Sequence, residues 1–411
     1  MNQSDTEVMA GILNSQGFKI VDNLEDADII IFNSCAVKKP TQEAFFKRLK
    51  ELKETKKPVI IAGCIAQTMP NKLKGYSMIG PDQIENIVEI VEETINDNVV
   101  SLLIKEDKPR PKIQSLRKNP LIEIVPISKG CLGDPCSYCI VKKARGHLYS
   151  FSIEDIKKQI KSALKEGVKE IWLTAQDTGC YGKDIGTNLP ELLRQIVEIR
   201  HDFKVRVGMM NPNHVLEFMD ELIEVFRNDK IFKFLHIPVQ SGNDEVLKLM
   251  RRKYFASDFI SIVNAFRHEM PDITIATDII CGFPTETDEQ FEDSIKLIEE
   301  IKPDVLNISR FWSRPGTEAQ KLKQHPGGVT KDRSSKMTIT FEFIAYEKNK
   351  RWRSWVGEVF VDDLGKDDSF VARNHAYKPV ILHSDYDILG KTLKVQIENT
   401  TKYDLRGKII N

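Results

Sequence analysis

The sequence predicts an α/β protein in three parts: an N-terminal parallel α/β unit, a central partial barrel of six β/α repeats, and a small C-terminal β-barrel. Three observations carry this. Short β-branched runs alternate with amphipathic helical stretches along most of the chain, and continuous apolar strands separated by helices indicate a parallel sheet covered on both faces. One basic, proline-containing stretch interrupts that alternation and divides it. Beyond Trp355 helical spacing stops, and strands with turn residues remain. The length of 411 residues suits about two to three domains.

In the first unit, residues 1–104, Ser4 with Glu7 forms a capping-box signal ahead of the amphipathic VMAGILNSQG. DADIIIFNSC and KKPVIIAGC read as strands that each end on a cysteine, Cys35 and Cys64. Function in such sheets gathers at the carboxyl ends of strands. ENIVEIVEETIND is a further helix, and because the chain opens directly on a helix the sheet is expected to lack its leading strand. Residues 105–120 form a basic linker, with six basic and two acidic residues in KEDKPRPKIQSLRK. Residues 121–345 hold six expected strands, LIEIVPIS, EIWLTA, KVRVGM, KFLHIPVQ, ITIATDII and VLNISRF, with helices between them. Six units leave a barrel open, with its site at the C-terminal rim. Residues 346–411 carry WVGEVFVDDL, SFVARNHAYKPVIL and TLKVQIEN, the strands of the small barrel.

Lys+Arg and Asp+Glu both number 60, so a uniformly basic nucleic-acid coat is excluded and any RNA contact must come from local patches. No apolar run approaches the roughly 18 residues of a membrane span, and the N-terminus has no signal-peptide pattern, so a cytoplasmic protein without membrane contact is expected. Seven cysteines, odd in number and uneven in spacing, favour metal ligation or redox chemistry over a disulfide framework.

Cys131, Cys136 and Cys139 lie together in SKGCLGDPCSYCIVKKARG, directly after the strand IEIVPIS. Three thiolates from one loop can hold three irons of a [4Fe–4S] cluster and leave the fourth open to a non-protein ligand. Such an iron can bind the amino and carboxylate groups of S-adenosylmethionine and pass an electron to its sulfonium, yielding a 5′-deoxyadenosyl radical. The rival is a zinc site of Cys131, Cys136, Cys139 and His147 in an RNA-binding protein without catalysis. That spacing matches no common finger, and the cluster heads a barrel instead of a small module of its own.

With FNSCAVKKPTQE, VIIAGCIAQ, EIWLTAQDTGCYGKDIGTNLP, VRVGMMNP, FLHIPVQSGNDEVLKLMRRKY, TDIICGFPTETDEQFE and SRPGTEAQ, the chain resembles the radical-SAM methylthiotransferases over essentially its whole length. The C-terminal barrel, with RNHAYKPVIL, is similar to the RNA-binding TRAM domain. LTAQDTGCYGKDIGTNLP and KKARG resemble the archaeal and eukaryotic branch, which implies methylthiolation at C2 of N6-threonylcarbamoyladenosine, position 37 of tRNA, in the anticodon loop. Members acting on isopentenyladenosine tRNA, or on a ribosomal-protein aspartate, are the alternative specificities. The resemblance also implies S-adenosylmethionine, two [4Fe–4S] clusters, an electron donor and a monomer.

Carried over, Cys131, Cys136 and Cys139 match the radical-SAM ligands, although the spacing here is C-x4-C-x2-C where the family has C-x3-C-x2-C. Cys35 and Cys64 match two of three auxiliary-cluster ligands. The third falls upstream of Met1, so this sequence leaves the auxiliary cluster one thiolate short, and a longer natural chain with at least eight cysteines is expected. Cys180 and Cys281 have no ligand partners nearby and are expected in the core. Strand-end polar residues for S-adenosylmethionine are Thr174, Gln176, Asp177, Arg206, Gln240 and Ser241, then Asn211, His236 and Glu286. A threonylcarbamoyl carboxylate calls for a cation, supplied by Lys142, Lys143 or Arg145. For tRNA the C-terminal barrel offers Lys348, Lys350, Arg351, Arg353, Arg373, Tyr377 and Lys378. Trp352 and Trp355 are expected to pack the neighbouring helix.

Overall fold

Ser34 and Gly63 end two adjacent parallel strands, Ile30–Ser34 and Val59–Gly63, in the computed structural model, which describes residues 1–36, 39–107 and 115–410. Ser77–Ile79 and Ser101–Leu102 follow in the same sheet, all parallel. Alternate residues of Val59–Gly63 serve two layers. Ile60 and Ala62 pack against Val8, Met9 and Ile12 of the helix Asn2–Ser15, while Val59 and Ile61 pack against Phe45, Leu49 and Leu52 of the helix Lys39–Glu54. The continuous apolar run follows from this double cover. Ile30–Ser34 forms one edge and is half-buried.

The expected capping box at Ser4 and Glu7 is not one. The helix already begins at Asn2, and the buried Ser4 hydroxyl donates to Ile124 O at 3.2 Å, tying this helix to the first strand of the central barrel. Residues 108–114 of the expected linker lie outside the described residues. Arg117, just after them, bonds Glu123 and, at 2.7 Å, Glu166.

All six expected barrel strands form: Ile122–Pro126, Glu170–Thr174, Lys204–Val207, Phe234–His236, Thr274–Cys281 and Val305–Arg310. They make two three-stranded parallel sheets, joined where Val205 N donates to Lys230 O and Met210 N to His236 O. Among the described residues the first and last strands do not pair, so the barrel is open. Outward residues Val125, Ile171, Leu173, Val205 and Ile275 pack against the surrounding helices. The alternate set, Trp172, Arg206, Phe234 and Ala276, faces the lumen.

The helix Gly327–Lys350 crosses the expected boundary at 345/346 and packs on Val305–Arg310. Val356–Leu364, Ser369–Arg373, Pro379–His383, Leu405–Ile409 and Thr392–Thr400 then close a five-stranded barrel in that order around. Trp352 is buried in its core beside Trp355. Two interactions lock the barrels together. Buried Asp304 collects Lys378 at 3.0 Å, Arg351 at 3.4 Å and Lys348 at 3.8 Å. Tyr377, held left-handed at φ 58° in a turn where Asn374 Oδ1 accepts from Ala376 N and Lys378 N, enters the bottom of the larger lumen among Phe232, Phe234 and Trp172.

Candidate functional site

The cysteine loop leaves the barrel rim through Gly130. Its φ is +75° and any Cβ there would collide with His147 O, so only glycine fits. Gln176 Oε1 accepts from Gly130 N at 2.8 Å, and Ser137 fastens the far side by donating from N to Met250 O and from Oγ to Leu249 O. Cys139 N donates to Cys136 O at 3.0 Å, closing the turn that sets the last two cysteines. All three cysteines are free and half-buried. Burial, first of all, pushes the Cys131 thiol up to about 11 and the Cys139 thiol up to about 12. Asp177 and then Cys136 add to the first shift, and Cys136 to the second. A metal bound by these thiols would have to displace their protons.

Among the described residues no three His, Cys, Asp or Glu side chains converge as ligands of a single metal ion. The Cys131, Cys136, Cys139 and His147 tetrahedron of a zinc site is thus not assembled. Thiolates that each hold a separate iron stand wider apart than four ligands about one zinc, whose Zn–S bonds are about 2.3 Å. Free thiols on one rim loop, near enough to raise one another's pKa, suit a cluster.

Arg252 was not singled out from the sequence. Its Nη1 lies 3.3 Å from Cys136 Sγ, its Nε donates to Tyr254 Oη at 2.8 Å, and its Nη2 donates to Pro238 O and to Asn211 Oδ1. Asn211 in turn gives both its Nδ2, at 2.5 Å, and its backbone N to the buried carboxylate of Asp177. The next residue, Thr178, braces the same strand end from its hydroxyl, which bonds Gly208 O and Met209 O. Asp177, Asn211 and Arg252 thus run from two strand ends to the cysteine loop.

The remaining strand-end candidates divide. Thr174 ends its strand at the rim, and Gln176 supports Gly130. His236 Nε2 lies 3.2 Å from Asp278 Oδ2, whose other oxygen accepts from Asn307 at 2.6 Å. Gln240 is left-handed at φ 73° and bonds through its backbone to Asp278 and Ile280. Ser241 is fully buried against Ser294, and Glu286 is held by Gly282 N and Arg333. Arg206 requires a correction: it faces the lumen below the rim, stacked among Trp172, Phe234 and Tyr377. Cys180 and Cys281 are buried, as expected.

The cations of the KKARG run also separate. Lys143 is exposed, while Lys142 donates to Gly133 O. Arg145 turns inward, 4 % exposed, and its Nη2 meets Asp5 Oδ2 at 2.5 Å and Asn2 Oδ1 at 3.3 Å. Burial works against its charge, but Asp5 and then Cys64 outweigh this and hold its pKa above the arginine range. It is a domain contact, not a rim cation. Lys378 pairs with Asp304 across the interdomain junction, while Arg373 pairs at 2.9 Å with Asp362 on the neighbouring strand of its own barrel, so both are engaged by carboxylates. A buried carboxylate needs a cation nearby, and both lysine and arginine are drawn in for that reason. Lys350 pairs with Glu347, and Arg353 is exposed.

Cys35 follows one N-terminal strand and Cys64 the next, beside each other at the carboxyl ends. Gly63, at φ +84° with Asn33 Oδ1 where any Cβ would stand, turns Cys64 into a short helix that packs on Val141–Arg145. Arg314, from SRPG, is buried and donates to Gln42 at 2.7 Å; both Cys35 and Cys139 lie in its electrostatic surroundings. The short helix that begins at Cys64 thus packs on the helix that follows the Cys131–Cys139 loop, which brings the N-terminal cysteines to the domain junction. Arg252, Arg314, Asp278 and Asn307 escaped the sequence reading. Polar residues inside otherwise apolar strands, as in TIATDIIC and VLNISR, were the available signal for the last two.

Three family descriptions match in chain order: Uncharacterized protein family UPF0004 over residues 1–79, the Radical SAM superfamily over 125–298, and the TRAM domain over 356–410. The threonylcarbamoyladenosine tRNA methylthiotransferase of Homo sapiens is 42% identical, covering 100% of this chain and 72% of that protein. A Pyrococcus abyssi protein, provisionally given the same name, is 42% identical over 100% of this chain and 97% of its own. Among solved structures, the radical S-adenosylmethionine methyltransferase TsrM from Kitasatospora setae, with tryptophan and a SAM analogue bound, is similar in fold, with a TM-score of 0.56, 14% identity, and coverage of 75% of this chain and 70% of that one. The open barrel with its rim cysteine loop is that of a radical-SAM enzyme. The chain belongs to the threonylcarbamoyladenosine tRNA methylthiotransferase family.

Proposed function

We propose that the chain adds a methylthio group to C2 of N6-threonylcarbamoyladenosine at position 37, in the anticodon loop of tRNA. The observation that carries this is the approach of Cys35 and Cys64 to the radical-SAM loop, with Arg145 beside Cys64 and Arg314 in the field of both Cys35 and Cys139. A hydrogen-abstracting centre and a sulfur-carrying centre must share one substrate atom, and two cysteine groups across a single junction suit that need.

Cys131, Cys136 and Cys139 would hold the radical-SAM [4Fe–4S] cluster, and Cys35 with Cys64 would supply two of the three thiolates of the auxiliary one. When bound, the cluster with S-adenosylmethionine supplies a 5′-deoxyadenosyl radical able to take hydrogen from an unreactive C–H bond. Gln176 and Ser137 hold the loop that carries the thiolates. Thr174, Gln176, Asp177 and Gln240 line the rim for S-adenosylmethionine. Lys142 and Lys143 are placed for the substrate carboxylate or neighbouring phosphate. An electron donor, a monomeric state and a cytoplasmic location complete the reading. Free cysteines throughout support a reducing compartment, and no helix among the described residues is long and apolar enough to cross a membrane.

The test is nucleoside mass analysis of threonylcarbamoylated tRNA after reaction with anaerobically reconstituted protein, S-adenosylmethionine, sulfide and dithionite. The 2-methylthio product is expected, and its loss in a Cys131→Ala variant. Absence of product from protein carrying both clusters would sink the reading.

A further inference from the structure

A guanidinium bond to a cluster cysteine is a specific arrangement. Arg252 has Nη1 on Cys136 Sγ at 3.3 Å, while its Nε is taken by Tyr254 and its Nη2 by Pro238 and Asn211. It cannot swing away without abandoning those partners. Tyr254 is fixed too, since its hydroxyl donates toward Pro238 O and Val239 O at 3.0 and 2.8 Å. Asn211 is clamped by two bonds to Asp177. The positive charge is thus held against one sulfur by fixed partners, with both Arg252 and Cys136 half-buried.

Resting on the reading that Cys131, Cys136 and Cys139 hold a [4Fe–4S] cluster, we propose that Arg252 is a positioning residue that donates to the Cys136 thiolate and raises the cluster's reduction potential. Cluster potentials are set in part by hydrogen bonds to the sulfurs and by nearby charge. One-electron reduction adds negative charge to the cluster, so a donor and a positive charge at Cys136 stabilise the reduced form more than the oxidised one. Asp177 reaches the cluster through Asn211 and Arg252, which links the rim that would hold S-adenosylmethionine to the electron acceptor.

The experiment uses the full chain with Cys35→Ala and Cys64→Ala, so that one cluster remains, in three forms: with Arg252 intact, Arg252→Gln and Arg252→Lys. After anaerobic reconstitution, iron and labile sulfide are counted, and the cluster is titrated with dithionite under EPR. About four irons per chain with Arg252 intact are expected. At a fixed potential the reduced-to-oxidised ratio should fall about tenfold in Arg252→Gln, a shift of about 59 mV for one electron, and by less in Arg252→Lys, which keeps the charge and loses the planar fork. Clusters that load normally in Arg252→Gln with an unmoved midpoint overturn the proposal. Loss of iron from both variants also overturns it, because the residue would then serve assembly and not potential. No iron with Arg252 intact would instead remove the cluster reading, and the tuning role with it.

Discussion

The guanidinium of Arg206 lies 5.3 Å from the ring centre of Tyr377, although one residue belongs to the central barrel and the other to the small C-terminal barrel. Tyr377 also meets the Phe232 and Phe234 rings at 4.7 and 5.4 Å. The C-terminal barrel therefore closes the lumen of the larger one with an aromatic plug. Tyr377→Ala is expected to lose about 3 kcal/mol or more, the usual scale for removing a buried ring. Urea unfolding should then show an earlier transition for the C-terminal barrel. A single unshifted transition would mean that the plug does not hold the two barrels together.

Glu170 lies in the same junction. Burial first, then the Asp362 charge, raise its carboxyl to about 7, despite the Trp172 bond and the Arg373 and Arg206 charges. The folded pKa stands above the unfolded one, so the native state holds the proton more tightly. Stability from this group is then full below about pH 4.5 and is lost as pH rises through about 7, on the order of 3 kcal/mol. Glu170→Gln should raise the urea midpoint at pH 8 and change it little at pH 5. Equal effects at both pH values would refute the assignment.

Arg145 and Asp5 form a buried pair between the N-terminal helix and the barrel's cysteine loop. Removing one partner takes a buried ion pair apart, a loss of about 3–5 kcal/mol. Arg145→Ala should loosen the N-terminal domain, seen as faster protease cleavage near residues 105–107, and the Asp5→Ala/Arg145→Ala double variant should recover part of the loss. Activity of Arg145→Ala should fall alike on tRNAs with and without the threonylcarbamoyl carboxylate. A fall confined to the carboxylate-bearing tRNA would restore Arg145 as a substrate contact.

The six barrel strands were readable because a strand covered on both faces must be apolar throughout, as Thr274–Cys281 and Val59–Gly63 largely are. The cysteine loop was readable because its residues are close together in sequence. What escaped is whatever depends on partners distant in the chain. Arg145, Arg373 and Lys378 looked like free cations in their own segments, yet Asp5, Asp362 and Asp304 draw them inward. Ser4 looked like a cap because the pattern of a cap is local, while its acceptor, Ile124 O, is not. Arg252 and Arg314 could not be told from other basic residues until the fold set them beside the cysteines.

The same contrast yields a test on RNA binding. From sequence Lys143 reads as a cation for the threonylcarbamoyl carboxylate and Lys378 as one for tRNA, but Lys143 is exposed beside the cysteine loop and Lys378 is buried on Asp304 at 3.0 Å. A lysine that neutralises a phosphate releases a counterion, so its removal lowers affinity and flattens the salt dependence by about one unit of slope. Lys143→Ala should therefore weaken tRNA binding in filter assays across a salt series and reduce that slope, with its melting curve unchanged. Lys378→Ala should do the reverse. Its loss leaves Asp304 short of its nearest cation, so the melting temperature falls while the salt slope stays as it is. If Lys378→Ala flattened the slope and kept its stability, the junction would open enough for that lysine to meet RNA.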